Sequence, residues 1–294
     1  MNKEHRTPSP AGAGFAITRK VRVILVVIVM AIILFLISFA SHKESVVIGV
    51  PNWESGEATA RFLKETIESD LNTPVILRYD EDGKGLTNEE IYSGIAEGTI
   101  HIHPEGWVPL HSDYHTEYAE SLMESKNGYS TRQGLCVVEA VADEYRMQDE
   151  EDLRKVEGSD IWVGAPGWSS TEQETERAEK YGYAETLNVL VLEEEDAFKR
   201  IEESIDSEEP FVFYCYEPSS MKQRYNIVEL MEPADDKRPQ EKVYVYYAKS
   251  LADMNESVAE YLRNVRLERQ QVNEWLFEAA EEEDNSEDKE EEEE

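Results

Sequence analysis

The chain has 294 residues, enough for one large or two modest domains. Its 64 acidic residues outnumber the 29 basic ones, and the formal net charge is −35. Such a negative field repels the phosphate backbone, which excludes nucleic acid as a partner and indicates a solubility role for the charge.

An uninterrupted apolar run, Val23–Ile37, follows a basic N-terminal stretch. This order predicts that the N-terminus stays in the cytoplasm and that everything after the run is exported. Small residues at Ser38 and Ala40 permit cleavage after Ala40, and the stretch 23–40 is also long enough for an uncleaved membrane anchor. We therefore expect residues 1–44 to be a cytoplasmic stub with a signal peptide or anchor, and the rest to be periplasmic or otherwise extracytoplasmic.

Strand-like and helix-like segments alternate through the exported part. In chain order, strands are predicted over Val46–Val50, Pro74–Tyr79, Ile100–His103, Ile161–Gly164, Leu187–Leu192, Phe211–Tyr216 and Val243–Ala248. Helical spacing covers Ala58–Ile67, Glu89–Ala96, Thr171–Tyr181, Glu195–Ile205, Leu251–Leu262 and Val265–Ala280. The alternation predicts an α/β fold with parallel sheets covered by helices, in which ligands bind beyond the carboxyl ends of strands. By that rule we expect the ligand near residues at or just past strand ends, namely Trp53, His103–His111, Trp168 and Tyr216.

Two further features concern the cysteines and the C-terminus. Cys136 and Cys215 lie in the exported part, where a disulfide is permitted, but their separation in the sequence says nothing about proximity. We expect two buried free thiols, because cysteine is commonly buried without a bridge. The tail Glu281–Glu294 holds 11 acidic residues and one basic residue, and we expect it to be disordered.

Three segments combine aromatic residues with proline, and the first two also contain glycine: HPEGWVPLH at His103–His111, IWVGAPGWSSTE at Ile161–Glu172 and FYCYEP at Phe213–Pro218. In combination they resemble the glycine betaine/proline betaine-binding proteins of ABC importers, and the likeness extends from Val46 to about Leu276. The resemblance implies a two-lobed, type II periplasmic-binding-protein-like fold with a hinge, no catalytic activity and no cofactor. It also implies ABC permease and ATPase subunits as partners.

The resemblance also places the two lobes along the chain. Lobe 1 would comprise 45–132 and 234–280, and lobe 2 would comprise 133–233. The hinge would include Gly134–Val138 and the return near Leu230–Pro233, with the ligand held between the lobes.

The chemistry of such a ligand fits these residues. A trimethylammonium group has no N–H donor and is best held by aromatic faces, each worth about 0.5–2 kcal/mol when desolvated. By resemblance, Trp107, Trp168 and Tyr216 would form a cage, and Trp53 resembles an additional aromatic of choline-type relatives. His111 and the backbone N–H groups at 169 and 170 would hold the carboxylate of a betaine.

Local spacing supports an anion site at the start of the helix that follows Trp168 in the second segment. Ser169 with Glu172 and Ser170 with Gln173 have the spacing of a capping box, which is typical of a helix start. A helix N-terminus attracts anions through its free N–H groups and its dipole.

Alternatives remain open at this stage. The family usually has Trp where Tyr216 stands, so choline, carnitine or another betaine could replace glycine betaine as the ligand. A membrane-tethered sensor of the same ligands would have the same binding chemistry. A metal-dependent hydrolase could use His101, His103 and Glu105 with His111 and His115, although the sequence has no HExxH motif.

Overall fold

The computed structural model describes residues 44–278, together with Ile28 and Met30, which are helical. Apart from those two residues, the predicted export segment lies outside the described residues, as does the predicted acidic tail. Within the described part, no helix is both long and apolar enough to cross a bilayer.

The strands and helices follow the predicted alternation. The strands are β1 (Val46–Gly49), β2 (Val75–Arg78), β3 (Ile102–Val108), β4 (Leu122–Glu124), β5 (Tyr129–Val138), β6 (Asp160–Trp162), β7 (Asn188–Leu190), β8 (Phe211–Glu217), β9 (Ile227–Glu229) and β10 (Glu241–Ala248). The helices are Glu54–Leu71, Asn88–Glu97, Ser112–Glu117, Glu139–Tyr145, Ser169–Tyr181, Glu194–Ser207, Met221–Arg224, Leu251–Met254 and Glu256–Asn264. Residues 269–278 are also helical, and short 3-10 helices occur at Glu150–Val156 and Tyr183–Glu185.

These strands form one mixed sheet in the order β2-β1-β3-β10-β5-β8-β6-β7, with β4 paired to β10 and β9 to β5. Parallel pairing holds at the two sides, where β1 lies beside β2 and β3, and β6 lies beside β7 and β8. The centre is antiparallel, since β10 pairs with β3 and β5, and β5 pairs with β8. The prediction of parallel sheets was therefore wrong at the centre, because β5 and β10 run against the strands that they join.

Strand β5 belongs to both sides of the sheet. Its residue Thr131 pairs with Glu241 of β10, whereas the next residue, Arg132, pairs with Glu217 of β8. The boundary between the proposed lobes, at 132 and 133, lies one residue after this change of partner. The lobe boundaries themselves stay a prediction.

Strand β3 is longer than its sequence pattern indicated. The predicted strand ended at His103, but β3 continues to Val108, and Trp107 pairs with Val243 of β10. The expectation that the whole motif lies at or past a strand end was thus wrong for Trp107. The pairing with β10, which is distant in the sequence, extends the strand through a proline and a glycine that would weaken it locally.

The two cysteines form a disulfide, so the expectation of free thiols was wrong. Antiparallel pairing of β5 with β8 sets Cys136 opposite Phe213 and Gly134 opposite Cys215. The cysteines are therefore diagonal neighbours, with Cα atoms 5.8 Å apart despite a sequence separation of 79. This proximity follows from strand register, which the cysteine positions alone do not show.

Candidate functional site

A pocket opens between segments from the two sides of the sheet. It is lined by Trp53, Asn88, Trp107, Leu110, His111, Trp168, Ser169, Ser170, Tyr214 and Tyr216. The first five of these residues precede β5 in the sequence and the last five follow it. All seven residues predicted from the sequence are present, so the structure brings the whole predicted set together.

Aromatic rings form most of the wall and meet edge to face. Trp168 lies 6.4 Å from Trp53 and 5.8 Å from Tyr216 between ring centroids, with interplanar angles of 87° and 89°. Trp107 lies 5.9 Å from Tyr216 at 75°. Near-perpendicular rings around one space present several faces to whatever occupies it, which is the geometry of a cage for a diffuse cation.

The polar atoms of three cage rings are bonded to protein groups. Trp53 Nε1 donates to Glu105 Oε2 at 3.0 Å, and the Tyr216 hydroxyl donates to Glu194 Oε1 at 2.5 Å. Trp168 Nε1 donates to Asn52 Oδ1 at 3.0 Å. The bond from Trp168 to Asn52 also joins segments from the two sides of the sheet. Because these bonds fix the ring edges, the orientation of each ring is set before any ligand enters.

Burial raises the pKa of the Tyr216 hydroxyl well above its ordinary value, and the negative charge of Glu194 raises it further. The ring therefore stays neutral and protonated. A neutral phenol keeps both its hydrogen bond and an electron-rich face available for a cation.

The other end of the pocket is the start of the helix Ser169–Tyr181. Trp168 is the residue that caps this helix, in extended backbone conformation, and no side chain forms a capping hydrogen bond. The predicted capping boxes are thus not formed. With Ser169 as the cap, the helix would begin at Ser170, but it begins at Ser169 and the capping position falls on Trp168, whose side chain donates to Asn52. Within residues 44–278, the N–H groups of Ser169 and Ser170 have no protein acceptor. Two free donors at a helix start form an anion site.

A sharp turn in the backbone immediately precedes that helix. Gly164 has φ = 129° and Gly167 has φ = 78°, a region that residues with a Cβ rarely adopt. The Thr171 side chain donates back to the Ala165 carbonyl at 2.7 Å, which closes the turn. The GAPGW segment therefore places Trp168 and the two serine N–H groups at one edge of the pocket.

His111 adds a neutral donor to this end. The Trp107 N–H donates to His111 Nδ1 at 3.2 Å, so the ring accepts at Nδ1 and carries its proton on Nε2. Burial lowers the pKa of His111 well below its ordinary value, with smaller effects from His103 and His115. A neutral imidazole with an Nε2–H group can donate one hydrogen bond to a ligand without adding a charge.

Three lining residues were missed by the sequence interpretation: Asn88, Leu110 and Tyr214. Tyr214 precedes Tyr216 by two residues on β8, so the two share a face, and the period of two in a strand was a usable signal. Asn88 is held by His103, whose Nε2 lies 3.3 Å from Asn88 Oδ1. Leu110 lies within the HPEGWVPLH segment, whereas no local pattern marks Asn88, which tertiary contacts alone bring to the pocket.

The histidines that suggested a metal site have separate roles. His101 Nδ1 accepts from the Val47 N–H at 2.9 Å, and His103 Nδ1 accepts from the Glu105 N–H at 3.3 Å. Burial lowers the pKa of His103 to about 3. Among the residues that the structure describes, no group of three His, Cys, Asp or Glu side chains is placed to hold a metal ion.

The family described as "Substrate binding domain of ABC-type glycine betaine transport system" matches residues 44–291, most of the chain. The chain belongs to this family. It is therefore the substrate-binding component of an ABC-type transport system. A search of curated proteins gives no match.

Solved structures share the fold of this substrate-binding protein. A glycine betaine, L-proline ABC transporter binding protein from Borrelia burgdorferi has a TM-score of 0.69 at 19% identity, over 81% of this chain and 88% of its own. A lactococcal protein in a closed conformation with glycine betaine has a TM-score of 0.69 at 14% identity, over 81% and 90%. An ABC-transporter choline-binding protein with choline has a TM-score of 0.64 at 17% identity, over 78% and 80%. At these identities the likeness establishes the two-lobed binding-protein fold.

Proposed function

We propose that this protein captures a small quaternary-ammonium solute, glycine betaine or a choline-type relative, and delivers it to ABC permease and ATPase subunits for import. The observation that carries the proposal is the convergence of Trp53, Trp107, Trp168 and Tyr216 on one pocket. Methylated nitrogen offers no hydrogen to an acceptor, so aromatic faces are the groups that suit it.

The two ends of the pocket fit the two ends of a betaine. Four aromatic faces contribute roughly 2–8 kcal/mol, whereas micromolar binding needs about 8 kcal/mol. A carboxylate held by the Ser169 and Ser170 N–H groups and by His111 Nε2 supplies the difference through charge-assisted hydrogen bonds. All of these donors are uncharged, and no Lys or Arg lines the pocket. A zwitterion therefore fits the pocket better than a simple anion does.

The architecture supports capture by closure. The pocket residues come in equal number from before and after β5, which fits lobe 1 at 45–132 with 234–280 and lobe 2 at 133–233. The bonds from Asn52 to Pro166 and to Trp168 join the two proposed lobes beside the pocket. We place the protein outside the cytoplasmic membrane, exported or anchored by residues 23–40, with binding rather than catalysis as its activity.

Calorimetric titration tests the proposal with ligands of matched shape. Glycine betaine is titrated beside 3,3-dimethylbutanoate, in which a neutral carbon replaces the ammonium nitrogen, and beside choline, which lacks the carboxylate. We expect glycine betaine or choline to bind with a dissociation constant in the micromolar range and the butanoate at least about tenfold more weakly, a difference of about 1.4 kcal/mol. Equal binding of glycine betaine and 3,3-dimethylbutanoate would show that the pocket does not recognise the cation.

A thermal-shift panel of glycine betaine, proline betaine, choline and carnitine then ranks the ligands. Binding to the folded state alone raises the unfolding temperature by mass action. A ligand that leaves this temperature unchanged at millimolar concentration is not a substrate. If none of the four shifts it, the proposed ligand class is wrong.

A further inference from the structure

Glu105 is a fully buried carboxylate immediately behind the cage. It lies two residues before Trp107 on β3, so the two side chains share a face of the strand. Its exposed fraction is 0%. Four side chains donate to it: Trp53 Nε1 at 3.0 Å, Ser55 Oγ at 2.7 Å, Thr59 Oγ1 at 2.9 Å and Tyr129 Oη at 2.8 Å.

The charge of Glu105 has no matching cation nearby. All four donors are neutral, and within residues 44–278 no lysine or arginine forms an ion pair with this carboxylate. The four converging neutral groups satisfy both oxygens of the Glu105 carboxylate. A buried anion without a cationic partner is costly, so its presence is not explained by stability alone.

Glu105 also fixes the position of one cage ring. Ser55 and Thr59 are four residues apart on the helix Glu54–Leu71, and they face the same side of it. Their bonds to Glu105 hold the first two turns of that helix, which Trp53 directly precedes. The bond from Trp53 Nε1 then sets the indole itself, so ring position and negative charge come from one side chain.

The negative charge of Glu105 also acts on a second cage ring, that of Tyr216. After burial and the charges of Glu194 and Glu54, the charge of Glu105 also contributes to the raised pKa of Tyr216. Glu105 thus lies close enough to the cage for its field to act inside it. In a site of low dielectric constant, that field acts on a ligand cation more strongly than it would in water.

We propose that Glu105 is the positioning residue of the cage and its fixed counter-charge, which makes the pocket prefer a cation over a neutral group of the same shape. This inference rests on the proposed function, since it concerns the same pocket. The aromatic faces give the cage its shape and part of its attraction, and Glu105 supplies the full negative charge that the lining lacks.

The test compares Glu105→Gln with the unaltered protein, using glycine betaine and 3,3-dimethylbutanoate. Glutamine keeps the size of the side chain and removes the charge. We expect the ratio of the two dissociation constants to move toward one by at least about tenfold, or about 1.4 kcal/mol. An equal loss of affinity for both ligands, with the ratio unchanged, would mean that Glu105 has only a structural role and would overturn the inference.

Thr59→Val is the matched control. It removes one donor to Glu105 while the carboxylate and its charge stay in place. We expect weaker binding of both ligands but a ratio within about twofold of that of the unaltered protein, because the charge sets the ratio. A ratio that falls as far as in Glu105→Gln would assign the effect to ring position and contradict the counter-charge.

A second variant keeps the test decisive if Glu105→Gln does not fold. Glu105→Asp retains the charge but shortens the side chain, so Trp53 loses its support. We expect lower affinity for both ligands with the preference for glycine betaine retained, and loss of that preference would overturn the inference. If the unaltered protein itself fails to prefer glycine betaine over the butanoate, the proposed function fails instead, so the two failures are distinguishable.

Discussion

The backbone N–H of Glu54 donates a 2.8 Å hydrogen bond to Glu194 Oε2, which joins two acidic residues that are 140 positions apart in the sequence. Glu54 in turn accepts from the Ser220 N–H at 2.6 Å, and Glu194 accepts from the cage residue Tyr216. The two glutamates thus connect the segment after β1 to the far side of the pocket.

This relationship predicts a dependence of stability on pH. Burial raises the pKa of Glu194 well above its ordinary value, and the charge of Glu54 raises it further. A carboxyl whose folded pKa is raised contributes its stability while it is protonated, and loses that contribution as the pH rises from the unfolded pKa through the folded one. We therefore expect the unfolding temperature of the unaltered protein to fall relative to that of Glu194→Gln as the pH rises above about 4.5, the ordinary pKa of this group, measured by circular dichroism.

Glu195→Gln is the matched control for this effect. It makes the same chemical change at the neighbouring residue, whose side chain is 83% exposed and lies outside the pocket lining. Its unfolding temperature should follow that of the unaltered protein across the pH range. Identical pH profiles for the Glu194 and Glu195 variants would show that the buried carboxyl is not responsible.

The cage rings can be tested by truncation. Trp107→Ala and Trp168→Ala each remove an aromatic face, and we expect a loss of affinity for the bound betaine of about 10-fold or more, since a desolvated face contributes up to about 2 kcal/mol. Calorimetry measures the affinity. Trp275→Ala is the control, because Trp275 stacks on Phe62 with ring centroids 4.2 Å apart and does not line the pocket. It should reduce stability and leave affinity unchanged.

His111 should discriminate between betaine and choline. Because His111 is a neutral donor with its proton on Nε2, we expect His111→Phe to remove a hydrogen bond to the carboxylate of a betaine. We expect roughly tenfold weaker binding of glycine betaine, the effect of about 1.4 kcal/mol for a hydrogen bond to a charged group. Choline affinity should change little, and an equal loss for both ligands would place His111 in the cage support instead of the carboxylate clamp.

The disulfide should stabilise the second half of the domain. The Cys136–Cys215 bond closes a loop with a sequence separation of 79, and removing a native disulfide of this kind costs about 2–5 kcal/mol. We expect Cys136→Ser with Cys215→Ser to lower the midpoint of urea unfolding while glycine betaine affinity persists. Intact-mass measurement before and after alkylation under non-reducing conditions verifies the bond, and rapid alkylation of both cysteines in the folded protein would contradict it.

Much of the site could be predicted from the sequence, because its parts are local. The segments around Trp107, Trp168 and Tyr216 carry the family pattern in consecutive residues, and apolar spacing predicts most strands and helices near their observed bounds. The helix start predicted from the serine spacing lies close to the observed start at Ser169, although the capping residue is Trp168 and no capping box forms.

What only the tertiary structure decided is how distant segments meet. Strand register placed Cys136 beside Cys215, and the pairing of β10 extended β3 through Trp107. The partners of Glu105 and the bond between Glu54 and Glu194 come from segments that share no local pattern. Sequence spacing specifies which face of an element a residue occupies, whereas the charge and hydrogen bonds of a buried group depend on what the fold packs against that face.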